Sequence, residues 1–277
     1  MFDCHCDLLT YIYTNRKNVE KIKKVCNTIY NKENINGAIF NLFFMSEQEM
    51  KEELGIEKNE INVIQMLKIV RNIMQKEMII SKNIKYIYGI EGLDYLENIS
   101  DVDILYDLGV RSVNIVWNNK NKFGGGTRAE NSLGLTDLGE ELVEKLIDKN
   151  IAIDLSHANE KTFYDIIEKA KYLKNKGKNP KVFASHSNLK SIYNVKRNLT
   201  DKQIIKIKEL DGIIGIVEYK GFVCEKNENY EKYYLEHINY LKNLLDGVEN
   251  IALSTDDEIY YNKILENANI FDSRTIR

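Results

Sequence analysis

Met1-Phe2-Asp3-Cys4-His5-Cys6-Asp7 opens the chain, and the remaining segments can be ordered from it. An apolar start leads directly into His5 and Asp7 at i and i+2, a spacing that sends both side chains to one face of a β-strand. A histidine and a carboxylate side by side at a strand end are half of a divalent-metal site. Cys4 and Cys6 alternate with them, so they face the helical layer as small buried apolar residues, not as thiolate ligands. Asp3 shares the inward face one step deeper, where it is expected to orient a ligand histidine.

Seven further β-rich runs follow: Ile35–Met45, Ile84–Glu91, Ser112–Trp117, Ile151–His157, Lys181–His186, Ile213–Tyr219 and Ile251–Asp256. The second, INGAIFNLFFM, is almost continuously apolar, as a strand buried on both faces must be. Helical spacing separates the runs, over 59–77, 101–108, 136–149, 160–173, 200–210 and 229–245. Thr136 and Thr200 are expected N-caps, and Gly212 and Gly247 mark helix ends.

Eight strands alternating with helices predict an α/β chain folded as a (β/α)8 TIM barrel, with residues 1–277 as a single catalytic domain. The competing architecture is a doubly wound open sheet. Against it, no glycine-rich phosphate turn follows the first strand. Gly124-Gly125-Gly126 follows the fourth, without P-loop or dinucleotide spacing, and is expected to be a flexible loop over the site.

Barrel enzymes carry their chemistry at the C-terminal ends of the strands. Those ends hold His5 and Asp7, Glu91, Trp117 and Asn118, His157, His186, Glu218, and Asp256 with Asp257. The chain has only 4 histidines, and three of them end predicted strands. A lone histidine is an ordinary core or surface residue. Three histidines and three carboxylates on one rim exceed the three protein ligands of a single catalytic zinc and suit two ions with Glu91 between them. Glu218 either faces the site or has a surface or hydrogen-bonding role. His237 falls within a helical pattern and is assigned to structure.

These segments together resemble the membrane (renal) dipeptidase family of dinuclear zinc peptidases (peptidase family M19), whose barrel is amidohydrolase-like. The carriers are Asp3-Cys4-His5-Cys6-Asp7, Gly89-Ile90-Glu91-Gly92, Leu108-Gly109-Val110-Arg111, Asp154-Leu155-Ser156-His157, Ser185-His186-Ser187-Asn188 and Arg197-Asn198-Leu199-Thr200-Asp201. Each is weak alone; in this order at strand ends they are specific. The resemblance implies a dipeptidase with two divalent ions, Zn2+ by preference, and a dipeptide substrate cleaved by a hydroxide bridging the ions. It implies metal ligands His5, Asp7, Glu91, His157 and His186, with Asp256 as acid/base. It further implies that Arg197 binds the substrate's free carboxylate.

The sequence departs from the family in two places. Many relatives carry a histidine where this chain has Trp117, which can pack on a substrate but not supply the same charge. Asp256-Asp257-Glu258-Ile259 stands where the family has D-F-D-G, and Asp256 matches its first aspartate. Only 21 residues follow Asp256, so the eighth helix is expected to be shortened. Either this tail covers the last side of the barrel, or a partner chain does, as in a homodimer, or the sequence is truncated. Two other functions remain open: a related two-metal barrel hydrolase acting on another amide or a lactam, and a catalytically weakened metal-binding homologue.

Composition narrows the partners. With 39 basic and 42 acidic residues the net charge is -3, and the two signs are interleaved, so no nucleic-acid-binding stripe exists. Four cysteines in 277 residues form no disulfide framework. No run approaches the roughly 20 apolar residues of a membrane span. A cytoplasmic protein without membrane or nucleic-acid partners is the expectation.

Overall fold

The computed structural model describes residues 2–30, 37–80, 84–225 and 229–256. Eight parallel strands form where the eight runs were expected. They are β1 Phe2–Cys6, β2 Gly37–Phe43, β3 Lys85–Glu91, β4 Val110–Asn114, β5 Ala152–Asp154, β6 Val182–Phe183, β7 Ile214–Val217 and β8 Ile251–Ser254. They pair in the order β6-β5-β4-β3-β2-β1-β8-β7. The two ends of that order meet. Ala184 bridges Ile214 in parallel, and the Gly215 amide donates to the Ala184 carbonyl at 2.7 Å. A Cβ at Gly215 would lie 1.8 Å from the Ser185 carbonyl oxygen, so only glycine admits this closure. The sheet is a nearly closed (β/α)8 barrel, not an open doubly wound sheet.

Helices cover the outside. Between β1 and β2 run α1 Leu8–Thr14 and α2 Val19–Tyr30; between β2 and β3, α3 Glu47–Leu54 and α4 Val63–Glu77. Then come α5 Asp101–Asp107, α6 Asp137–Asp148, α7 Glu160–Asn175 and α8 Asp201–Lys208, one per crossover. α9 Lys220–Val223 and α10 Tyr230–Leu245 precede β8. Thr136 and Thr200 cap α6 and α8 as expected, accepting from the amides of Gly139 and Gln203. The periodic face of α6, Leu142, Val143, Leu146 and Ile147, is buried.

Four helices escape the periodicity reading, α9 because four residues are too few to show a period. α1 is buried from Leu8 to Tyr13, so it has no polar face to create a period. α2 carries its apolar stripe on Ile22 and Cys26. α3 begins with a capping box between Ser46 and Glu49 and ends at Gly55 in the left-handed region, a signature present in the sequence.

Inward-facing residues recur every second position along the strands. At the N-terminal end of the barrel Ile39, Ala152 and Phe183 form a small apolar plug with Phe2, Ile87 and Ile213. One and two steps further along, the same faces carry Asp3, His5, Glu91, Asp154 and Ser185, all buried. The interior thus changes from apolar to ionisable toward the end where the site lies. Cys6 belongs to the main hydrophobic core and Cys4 is buried, and no disulfide joins any of the four cysteines. Among the described residues no helix is long and apolar enough to cross a membrane. The expectations placed on Asp257 and on the C-terminal tail lie outside the described residues, as do Ile35 and Asn36.

Candidate metal centre

The strands are shorter than the sequence suggested, and this matters for the site. His157, His186, Trp117 and Asp256 lie just past the ends of β5, β6, β4 and β8, so turns rather than strand pleats aim them. Glu91 is the last residue of β3, and Gly92 follows it at φ +86°. That left-handed turn, open to glycine, lifts the chain off the barrel directly after the carboxylate. Asp256 has φ 52°, an uncommon but tolerated conformation for aspartate. Its amide donates to the His5 carbonyl at 3.0 Å, which ties the end of β8 to β1 at the site.

The residues proposed from the sequence converge. Glu91 stands between two groups. Its Oε2 is 3.3 Å from His5 Nε2; its Oε1 is 2.7 Å from His157 Nε2 and 3.3 Å from His186 Nε2. Asp7 Oδ1 is 3.3 Å from His5 Nε2. Asp256 Oδ1 is 3.9 Å from Nε2 of both His5 and His186. Three ligand sets result, His5–Asp7–Glu91, Glu91–His157–His186 and His5–His186–Asp256, each with its donor atoms within 4.8 Å of one another. Imidazole nitrogens and carboxylate oxygens are the donors that zinc and related divalent ions take, so the residues present fit such ions.

The electrostatics are those of a buried cluster. Burial opposes charge on His5, yet Glu91 and Asp7 hold its pKa well above the ordinary value. Burial likewise opposes ionisation of Glu91, but His5 and His157 outweigh it and keep its pKa well below the carboxylate range. Asp256 goes the other way: burial, then Asp7 and Glu91, push it well up against the pull of His5. Burial and the nearby Arg197 guanidinium lower His157 to about 4. Burial and His5 lower His186 well below its usual value. A divalent cation at this point would be the largest local charge and would reset these balances in favour of ionised carboxylates and neutral imidazoles.

Arg197 and Trp117 border the Glu91–His157–His186 group. A terminal guanidinium nitrogen of Arg197 is 3.0 Å from His157 Nε2, and its guanidinium lies 5.1 Å over the Phe222 ring. Trp117 stacks on His157 with centroids 5.8 Å apart and planes 24° from parallel. The Arg128 guanidinium sits 5.5 Å from the Trp117 centroid and bonds Glu49 at 3.1 Å. The loop of Gly124–Gly126 is packed rather than flexible. All three glycines are buried, and Gly126 is paired with Asn119 and Ala158.

Two supporting assignments change. The Asp3 carboxylate accepts from the His5 amide at 3.1 Å and from the Thr255 amide and hydroxyl at 3.1 and 2.7 Å. It joins β1 to the chain after β8 and orients no imidazole; burial raises its pKa to about 6. The rings are held by residues to which the sequence reading gave no such role. His157 Nδ1 is 3.0 Å from Asn118 Oδ1, while His5 and His186 both turn Nδ1 toward Ser185. The only available signal was that Asp154, Ser156 and Ser185 lie in the quoted histidine motifs. Glu218 directly follows β7 and is buried, which removes a surface role for it; His237 is buried outside the cluster, as expected.

Three comparisons bear on this arrangement. The family model described as membrane dipeptidase (peptidase family M19) matches residues 1–267. An uncharacterized protein of Klebsiella pneumoniae, from the pqqA 5' region, is 31% identical over 166 residues, covering 56% of this chain and 58% of its own. An uncharacterized dipeptidase of Schizosaccharomyces pombe is 28% identical over 178 residues, covering 63% of this chain and 42% of its own. The chain thus spans about half the length of the curated relatives it matches. In fold, it is similar to a metallo peptidase from Rhodobacter sphaeroides solved with a phosphinate mimic of the dipeptide L-Ala-D-Ala. That likeness has a TM-score of 0.68 at 19% identity and covers 93% of this chain and 86% of the other.

Proposed function

We propose, given that this chain belongs to the membrane dipeptidase family (peptidase family M19), that it is a metal-dependent dipeptidase. The observation that carries the proposal is Glu91, which presents one oxygen to His5 and the other to His157 and His186. A single carboxylate shared in this way suits two ions a few ångströms apart. In this reading His5 and Asp7 hold one ion, His157 and His186 the other, and Glu91 both. Imidazole-rich sets of this kind favour zinc. When bound, such ions acidify a water and polarise the scissile carbonyl.

The chain's own residues supply the remaining steps. Asp256, whose Oδ1 lies 3.9 Å from Nε2 of both His5 and His186, takes the proton of the attacking water and delivers it to the leaving amine. Arg197 binds the C-terminal carboxylate of the substrate through charge-assisted hydrogen bonds. The distance from that clamp to the cleaved bond limits the substrate to two residues. Trp117 gives the substrate a flat apolar wall beside His157. The presence of this full set supports a working hydrolase over a weakened homologue.

The test is direct. Purified full-length protein should bind two zinc equivalents per chain by plasma mass spectrometry. It should hydrolyse free dipeptides but not their C-terminal amides. A protein carrying two ions but inert toward a broad panel of L,L- and L,D-dipeptides would overturn the assignment.

A further inference from the structure

We propose that Ser185 is a positioning residue whose one hydroxyl fixes the imidazoles of His5 and His186 together and so links the two ion positions. The consequence for the ions rests on the two-ion reading above; the geometry of the hydroxyl does not.

Ser185 Oγ has three close partners, and a fourth contact, Ser156 Oγ at 3.5 Å, gives its own proton to Asp154. It donates to Asp154 Oδ2, and it lies 2.6 Å from His186 Nδ1 and 3.0 Å from His5 Nδ1. A hydroxyl has one proton and two acceptor lone pairs, so the destination of that proton decides everything else. Asp154 is the only partner that can take nothing but a donor. Its Oδ1 already accepts from the Ser156 amide at 3.0 Å, the Ser185 amide at 3.0 Å and the Ser156 hydroxyl at 2.8 Å. Oδ1 thus meets three donors, and the oxygen that remains, Oδ2, is the one to which the Ser185 hydroxyl donates. The Ser185 proton therefore points at Oδ2, and both lone pairs face the rings. Each ring must then carry a proton on Nδ1, which leaves Nε2 of both as the atom turned toward Asp7, Glu91 and Asp256.

The arrangement spans the barrel interior. His5 comes from β1, Asp154 from β5, and Ser185 and His186 from the turn after β6. His5, Ser185 and His186 are each at most 1% exposed, so no solvent can replace the hydroxyl. Its removal leaves two buried N–H groups without an acceptor, which is costly. His157 is outside this arrangement, because Asn118 and Thr127 hold it: Thr127 Oγ1 donates to Asn118 Oδ1 at 3.1 Å. Two separate devices thus set three rings, and only one device touches ligands of both proposed ions. Partners that orient ligand histidines fix tautomer and ring direction, and their loss typically weakens metal affinity about 10–100-fold.

The experiment uses full-length protein labelled with 15N at its histidines. In metal-free wild-type protein, His5 and His186 should each show a hydrogen-bonded Nδ1–H resonance. Ser185→Ala should remove both and leave that of His157. In zinc competition against a chromophoric chelator, the same variant should weaken both ions about 10–100-fold. Asn118→Ala should weaken only the ion at His157. Ser185→Cys keeps the volume with a poorer acceptor and should give the same losses in milder form, which covers failure of the alanine variant to fold. Survival of either Nδ1–H signal in both Ser185 variants would overturn the proposal, and so would weakening confined to one ion. Wild-type protein that binds fewer than two ions would overturn the link between them while leaving the tautomer result readable. Two ions with unchanged tautomers would refute Ser185 alone.

Discussion

The two ligand groups that share Glu91 are built differently. His5 lies in β1 and Asp7 directly follows it at the start of α1, and the His5 side chain is fully buried with the Asp7 side chain 13% exposed. His157 and His186 sit on turns, and His157 is met by loop residues, Trp117 from beyond β4 and Arg197 from before α8. Both groups are buried, and the strand-built one is the richer in carboxylate. The turn-built group is rich in imidazole and faces the residues that could touch a substrate. A barrel gives rigid positions at strand ends and variable ones on the loops beyond them. On the proposed reading both groups hold an ion, and only the turn-built one also meets the residues that would choose substrate.

The comparison is broken most severely at its shared member. Glu91→Gln removes a charge that both groups use, and kcat/KM should fall by at least about 10^3-fold with loss of bound metal. Full metal content with a near wild-type rate would show that the two groups do not share a carboxylate. Asp256→Asn should be nearly as damaging but in a different way. We expect kcat to fall about 10^2–10^4-fold while the ions stay bound and KM changes little. Loss of metal in step with activity would instead make Asp256 a ligand through the His5–His186–Asp256 set.

Substitutions on the loop side should sharpen the contrast by altering binding rather than chemistry. Arg197→Ala removes charge-assisted bonds worth about 1.5–3 kcal/mol, so KM for free dipeptides should rise about 10–100-fold. Turnover at saturation and metal content should be largely retained. An equal effect on amidated dipeptides would refute the carboxylate clamp. Trp117→Ala should be milder, about 2–10-fold in KM, the scale of one aromatic contact. If it lowered kcat as well, the stacking on His157 would be holding that ring in place.

The same division explains what was legible in the sequence. Strand-borne features were: short β-rich apolar runs located all eight strands, and the residues at their ends gave the candidate ligands that the fold brings together. His5, Asp7 and Glu91 could be read almost from spacing alone. The strand boundaries were less legible, because Trp117, His157 and His186 continue apolar runs without pairing in the sheet. α1 was invisible because a helix buried on every side has no period. Asp3 and Asp154 show the limit most clearly. Both are buried aspartates on inward strand faces, and sequence reasoning chose Asp3 as the one that supports a histidine ring. The supporting role falls to Asp154, acting through Ser185, because the register of β1 against β8 turns Asp3 toward Thr255. Cross-strand register decides such partners, and no local pattern encodes it.

The smallest expected effect concerns the fourth histidine, which belongs to neither group. His237 on α10 accepts the Leu189 amide at Nδ1, 3.2 Å, and is 3.0 Å from the Val223 carbonyl at Nε2. Both nitrogens are committed in the neutral ring, and a second proton would have to enter at Nδ1 against an N–H. Burial lowers its pKa, only partly opposed by the Val223 carbonyl. The folded state therefore binds a proton less readily than the unfolded chain, whose histidine titrates near 6.5. As pH falls through that value the unfolded state takes up protons first, so this contribution to stability is complete above it and declines below it. Each tenfold difference in proton affinity between the states corresponds to about 1.4 kcal/mol. Glutamine offers one acceptor and one donor without titrating. His237→Gln should accordingly flatten the dependence of urea stability on pH between 7 and 5 relative to wild type, with metal content unchanged. Parallel profiles for the two proteins would remove His237 from the account. Loss of metal in the variant would show that the turn after His186, which His237 holds at Leu189, controls the turn-built group more tightly than its distance from the cluster suggests.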